Sequence, residues 1–303
     1  MDIVVIIEQV LILAVLMAVG FVGGKTKVLG EIESDAMTKV LTQIALPALT
    51  ISAFSVGFSK ETINGVIIVL ILAFLSHLFA AVIGRFAFIK YNRDQNVVLR
   101  FGNTFSNSGF MGLPFIYALM GETALLYASI YMIAFHVLLW TYGENLLKID
   151  KVKFNVTVFI KNPAIIALII GSIIFFINRP LPVVMATPIS MLSSLTSPLA
   201  MLILGEKISQ IKFKEVFSNL SLYYFTFIKL LVTPLLIAII LSFFPIDPLI
   251  KNVVIIMQAL PVAVLSVVLS QKHNVDYKLA SKITIITHVL SILTLPIISL
   301  ILN

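Results

Sequence analysis

Of the 303 residues, 60% are hydrophobic and only 12% charged, and the mean hydropathy is +1.10. A soluble domain carries about a quarter of its residues as charges, so this composition excludes an ordinary globular protein. The chain has no cysteine, which excludes disulfides and thiolate metal sites.

An apolar helix of about 20 residues spans a bilayer core. Ten such segments occur in chain order: 3–23, 36–57, 62–89, 95–119, 122–146, 160–178, 184–206, 215–243, 249–271 and 277–302. The gaps between them are too short for a soluble catalytic domain. The first segment begins with Asp2 and Glu8, and its basic residues, Lys25 and Lys27, follow the apolar stretch. A signal peptide has the opposite order, so a retained helix is expected. The net charge of +7 raises nucleic acid as a partner, but the distribution argues against it. Lys and Arg gather at alternate connections, around Lys25, Arg93, Lys151, Lys212 and Lys278. Only Lys60, Arg179, Lys251 and the intrasegment Lys229 fall elsewhere. The positive-inside rule then places the basic loops in the cytoplasm and both termini outside, in a multi-pass plasma or inner membrane protein. The alternation also supports the count of ten.

The segments divide into two sets of five, residues 1–146 and 160–303, joined by a basic linker at 147–159. Because five is odd, the second set inserts upside down. Pro47 and Pro198 recur at an offset of about 150 residues, as do His136 and His288, and Pro114 and Pro261. The fold class read from this pattern is an all-α polytopic membrane protein built from two inverted five-helix repeats.

The fourth and ninth segments are interrupted, by Asn107-Ser108-Gly109-Phe110-Met111-Gly112-Leu113-Pro114 and by Gln258-Ala259-Leu260-Pro261. Paired breaks in corresponding segments point to the binding site of a repeat-built transporter. Proline has no N–H and clashes with the carbonyl four residues back, so Pro114 is expected to free the carbonyl of Phe110, and Pro261 that of Met257. Gly109 and Gly112 let the backbone leave helical geometry and a ligand approach. Beyond each break a half-helix N-terminus offers N–H donors to a carboxylate. Ser106, Asn107, Ser108 and Gln258 add neutral polar groups at that depth.

Ionisable groups inside segments are functional candidates. Lys229, among Phe225, Phe227, Leu230 and Leu231, attracts an anion, exchanges a proton, or simply bonds free carbonyls. His77, His136 and His288 are proton-carrying candidates, set against packing roles. No pair of carboxylates lies at the centre of any segment, which points to an anion rather than a cation as substrate. No metal or cofactor is expected.

The run Asn107–Pro114 resembles the fourth-helix signature of the auxin efflux carrier family, which includes plant auxin exporters and bacterial malate or malonate permeases. Gln258-Ala259-Leu260-Pro261, continuing to Lys272-His273-Asn274-Val275-Asp276, is similar to the family's ninth helix and following loop. Ile189-Ser190-Met191-Leu192-Ser193, continuing to Leu204-Gly205, is similar to its seventh. The resemblance covers essentially the whole chain. It implies a crossover fold shared with sodium/proton antiporters, helices four and nine crossing at Pro114 and Pro261 in a mobile bundle of helices 3–5 and 8–10. Helices 1, 2, 6 and 7 are the implied scaffold and homodimer contact. An elevator-type carrier of organic acids follows, with Asn107 at the carboxylate. Plant members carry a long hydrophilic central loop that is short here. Their acid near the start of helix three finds only Glu61 as a loose match, the remaining coupling candidate.

The sequence thus predicts a secondary transporter of small organic anions, with dicarboxylates such as malate or malonate ahead of an aromatic acid. A sodium-coupled carrier of the bile-acid type is the rival within transport. An intramembrane metal-dependent enzyme is the rival from another class, for which no HExxH, GxSxG or paired aspartates occur.

Overall fold

The computed structural model describes residues 3–54, 60–148, 161–177, 181–210, 216 and 219–302. The linker beyond Lys148 lies outside the described residues, as does the side chain of Glu61. The described chain is helical, in the order α1 (Ile3–Lys25), α2 (Glu31–Ala53), α3 (Lys60–Ala87), α4 (Arg93–Thr104) and α5 (Ser108–Leu147). After the linker come α6 (Pro163–Ile177), α7 (Val183–Ser209), α8 (Leu220–Ser242), α9 (Pro248–Ala259), α10 (Leu265–Lys272) and α11 (Tyr277–Ile301). Among the described residues, six helices are long and apolar enough to cross a membrane, and three shorter apolar ones accompany them. The chain is therefore read as a polytopic membrane protein.

Local chemistry explains where these helices start and bend. Asn92, Asn219, Asp247 and Asp276 cap α4, α8, α9 and α11, each side chain accepting a backbone N–H of the first turn. Gly121 divides α5 into two arms. Its φ of 79° and ψ of −164° belong to a region that only glycine enters at low cost. That turn falls between the fourth and fifth predicted segments.

Among the described residues, four π-turns interrupt the helices, at Leu41–Ala45, Ser108–Gly112, Leu139–Gly143 and Ile228–Val232. Three of them end just before a proline: Pro47, Pro114 and Pro234. Widening the preceding turn by one residue accommodates a ring that cannot donate and would collide with the carbonyl one turn back. These prolines are thus absorbed into their helices and do not end them.

Packing places the interrupted elements at the centre. α9 lies against α5 and α3, and α11 lies against α4, α9 and α10. α1 packs along the second arm of α7. The approach is so close that a Cβ on Gly205 would fall 1.9 Å from the carbonyl oxygen of Met17. The buried core follows the same centre, with Phe88, Phe101, Phe105, Phe115, Tyr131 and Phe225 wholly enclosed. Much of what remains exposed is aliphatic, such as Val15, Val19, Ile67 and Ile71, as a lipid-facing surface requires.

Candidate functional site

Two extended stretches meet in the middle of the fold. The first, Phe105–Asn107, separates α4 from α5, and the second, Leu260–Ala263, lies between α9 and α10. Ser106 and Val262 form an antiparallel bridge. Its hydrogen bonds run from Asn107 N to the Pro261 carbonyl (2.7 Å) and from Ala263 N to the Phe105 carbonyl (3.0 Å). Each break thereby satisfies backbone groups that the other exposes, which removes a cost of several kcal/mol per unpaired group in hydrocarbon.

The first break lies earlier than the proline rule implies. The chain leaves the helix at Phe105, and Pro114 sits in the first turn of the resumed helix after its π-turn. Gly112 serves contact between the breaks, since a Cβ there would meet Leu260 Cδ1 at 2.6 Å and Met257 Sδ at 2.9 Å. At Gly109 the corresponding distance to Met132 is 3.6 Å, so packing does not demand glycine there.

Lys229 is wholly buried on α8. Its ammonium donates to the carbonyls of Asn103 and Gln258, each at 3.2 Å, and to Ser106 Oγ at 2.6 Å. Those carbonyls are at the C-terminal ends of α4 and α9, where partial negative charge collects. The lysine therefore caps both interrupted helices at once. Gln258 reinforces the junction, accepting the Tyr131 hydroxyl at 2.8 Å and donating to the carbonyls of Asn103 and Thr104. Asn103 ties it outward, donating to the Ala80 carbonyl and accepting from Thr233.

A cavity of about 280 Å3 opens beside the first break. Ser106, Asn107, Ser108, Gly109, Phe110 and His136 line it, with Thr42, Gln43 and Thr50 from α2 and Asn162 before α6. The rest of the wall is apolar or aromatic, including Leu46, Phe135, Leu139, Trp140 and Leu168. Among the described residues, no lysine or arginine contributes. Several polar groups of this lining have no partner among the described residues. These are Ser108 Oγ, His136 Nδ1 and Trp140 Nε1. The N–H groups of Gly109 and Phe110, at the start of α5, also have no backbone partner. Unpartnered buried donors around a cavity suit an acceptor-rich ligand.

Of the residues singled out in the sequence, Gly112, Pro114, Gln258, Pro261, Lys229, His77 and His288 lie outside this lining. Pro261 and Gln258 shape the junction, and Lys229 stands one hydrogen bond behind the cavity, through Ser106. His77 donates Nδ1–H to the Ala73 carbonyl and stacks on Tyr131 with ring centroids 4.9 Å apart. His288 contacts Asn107 directly, Nε2 to Nδ2, at 3.0 Å. Sequence reasoning missed Trp140, Gln43, Asn103 and Tyr131. Trp140 carried a readable signal, since it is the only tryptophan and lies four residues after His136, on the same helical face. No group of acidic residues and histidines able to hold a metal occurs among the described residues.

The sequence profile described as "Membrane transport protein" matches residues 5–158 and 152–299. The chain belongs to this family, that of the auxin efflux carriers. An uncharacterized transporter of Methanocaldococcus jannaschii is 26% identical, over 95% of this chain and 96% of its own length. Another uncharacterized transporter, from Methanothermobacter thermautotrophicus, is 23% identical, over 97% of this chain and 98% of its own. The protein is a member of a membrane transporter family, and the junction and cavity lie within the span that the profile matches.

Proposed function

We propose that this carrier moves small organic anions across the cell membrane, binding the carboxylate in the cavity beside the first break. The observation that carries the reading is the set of unpartnered donors there: the Gly109 and Phe110 N–H groups, the Ser108 hydroxyl and the Trp140 indole. A helix N-terminus with free N–H groups favours an anion, and neutral donors accept one without a fixed countercharge to trap it. The apolar remainder of the wall and the modest volume fit one carboxylate on an apolar body. A dicarboxylate such as malate or malonate is the second reading. It is favoured by the separate polar group of Thr42, Gln43 and Asn162 across the cavity.

Ten membrane helices in two inverted repeats, with crossing at the two breaks, would let the junction move as a unit. The cavity has walls from α2 and α6 as well as from α5 and the start of α10. Sliding of the junction past α2 and α6 would expose the cavity alternately to each side, in an elevator-type cycle within a homodimer. Sodium coupling of the bile-acid type is the weaker alternative, because the carbonyls at the helix C-termini that would hold a cation already hold Lys229.

The test is flux of labelled benzoate and labelled malate into proteoliposomes. The reading predicts saturable flux of at least one, with benzoate faster. Absence of flux for both, and for a wider panel of carboxylic acids, would remove it.

A further inference from the structure

The Asn107 amide is tied to a titratable group, and the direction of that bond can be fixed. His288 Nδ1 lies 2.7 Å from the Thr284 carbonyl, which can only accept, so Nδ1 bears the proton. In the neutral ring Nε2 is then an acceptor. The group meeting it at 3.0 Å must be the Asn107 NH2, whichever way the amide would otherwise be placed. Asn107 thus spends a donor on His288, and its oxygen has no hydrogen-bond partner among the described residues. An acceptor remains in a cavity whose other free groups are mainly donors, and it repels a carboxylate.

Protonation of His288 reverses this. An imidazolium donates at both nitrogens, so Nε2 requires an acceptor and the Asn107 amide must turn by half a rotation. Its oxygen then faces His288 and its NH2 becomes available to the cavity. We propose that His288 is a proton-binding site coupled to the substrate site through this amide, so that the carrier takes up one proton with each carboxylate. The proton resides on Nε2 of His288, and no bond of the substrate is made or broken. His288 acts as a positioning residue for Asn107, and the inference rests on the carboxylate reading above.

The surroundings of His288 leave the coupling to this pair. Its small neighbouring space is lined by Leu13, Met17, Met111, Met201, Leu204 and Ser291. Helices α1, α4, α8, α9 and α10 pack on α11. They carry Glu8, Lys25, Arg93, Asp94, Arg100, Tyr223, Tyr224, Lys229, Lys251 and Lys272, and α11 itself carries Tyr277, Lys278 and Lys282. Helices α5 and α7, which reach His288 through Met111, Met201 and Leu204, add Tyr117, Glu122, Tyr127, Tyr131, His136, Tyr142, Glu144, Glu206 and Lys207. The His288 ring bonds instead to Asn107 and to the Thr284 carbonyl. Lys229 comes closest along the chain of bonds, ending on Ser106 beside Asn107.

The experiment is binding of labelled benzoate to purified protein between about pH 8 and pH 5.5, where benzoate stays ionised and an ordinary imidazole titrates. In the parent, affinity should strengthen toward acid by up to about tenfold per pH unit. His288→Gln, which carries no proton, should bind with a flat profile. A flat profile in the parent, or the same slope in both proteins, would overturn the coupling while leaving the carboxylate reading intact. No binding of benzoate, of malate or of a wider panel of carboxylic acids at any pH would remove that reading, and this inference with it. Should His288→Gln fail to fold, proton uptake by the parent on adding benzoate decides alone. About one proton per bound carboxylate is expected, and none contradicts the proposal.

Discussion

The two breaks share a backbone and differ in everything else. Each is a short extended stretch between helices, and each supplies half of one antiparallel bridge. Yet Phe105–Ser108 brings Ser106, Asn107 and Ser108, whereas Leu260–Ala263 brings only leucine, proline, valine and alanine. The second break meets the cavity with Ala263, Val264 and Leu265, whose side chains are all apolar. Its N–H at Val262 turns inward, donating to Thr287 Oγ1 at 3.1 Å. Pairing the backbone of two helix interruptions is a structural requirement in hydrocarbon. Recognition is then a choice of side chains, and here it falls on one side.

Changes at the shared junction should have the largest effect. Lys229→Met removes a charged donor from the carbonyls of Asn103 and Gln258 and from Ser106 Oγ, which keep only the bonds from Gln258 Nε2 and between Ser106 and Gln258. With hydrogen bonds to a charged group worth about 1.5–3 kcal/mol each and the cost of burying the ammonium set against them, a loss of about 2–3 kcal/mol is expected. Thermal unfolding in detergent checks it, and a melting temperature within a degree of the parent would contradict the capping role. Asn107→Ala breaks the recognition side and leaves His288 Nε2 without its partner. Carboxylate flux should fall at least about tenfold, equivalent to about 1.4 kcal/mol, with a loss of stability of about 1–2 kcal/mol, smaller than that of Lys229→Met.

On the other side, Thr287→Val leaves the Val262 N–H without its acceptor. Stability should drop by about 1–2 kcal/mol, measured by thermal unfolding, while flux at saturating substrate is retained. Loss of flux without loss of stability would show that the second break also recognises the ligand.

The smallest effect belongs to the far ends of the two arms. Glu144 on α5 meets Lys272 at 3.1 Å and His273 at 3.4 Å, just past α10, and pairs with Lys148 just beyond the end of α5. Burial holds His273 below the ordinary imidazole range, against the pull of Glu144. The folded state then binds fewer protons than the unfolded one, so stability present at neutral pH is lost as pH falls below about 6.5. His273→Gln should flatten that slope slightly in unfolding measured across the same range.

Much of this is legible in the sequence. The apolar segments, the polar break at 107–114 and the family resemblance all rest on local pattern, and local pattern is what a sequence displays. Asn107, Ser108, Gly109, Phe110 and His136 stand out by residue type and spacing alone, and they line one cavity. The proline rule misplaces the first break, because a π-turn absorbs Pro114 and moves the departure back to Phe105. The partners of Lys229 cannot be read from local pattern, since they lie on α4 and α9, far away in sequence. For the same reason the bond between His288 and Asn107 is invisible there, although each residue attracts notice separately.

The central claim, that a carboxylate binds beside the first break, has a reporter already in place. Trp140 is the only tryptophan, and it lines the cavity with its indole N–H unpartnered. Titrating purified protein with cyclohexanecarboxylate, which is transparent where tryptophan is excited, should give a saturable change in emission. That change should weaken at least tenfold in apparent affinity in Asn107→Ala. Saturable carboxylate transport with unaltered Trp140 emission, or with equal affinity in Asn107→Ala, would place the substrate elsewhere and contradict the account.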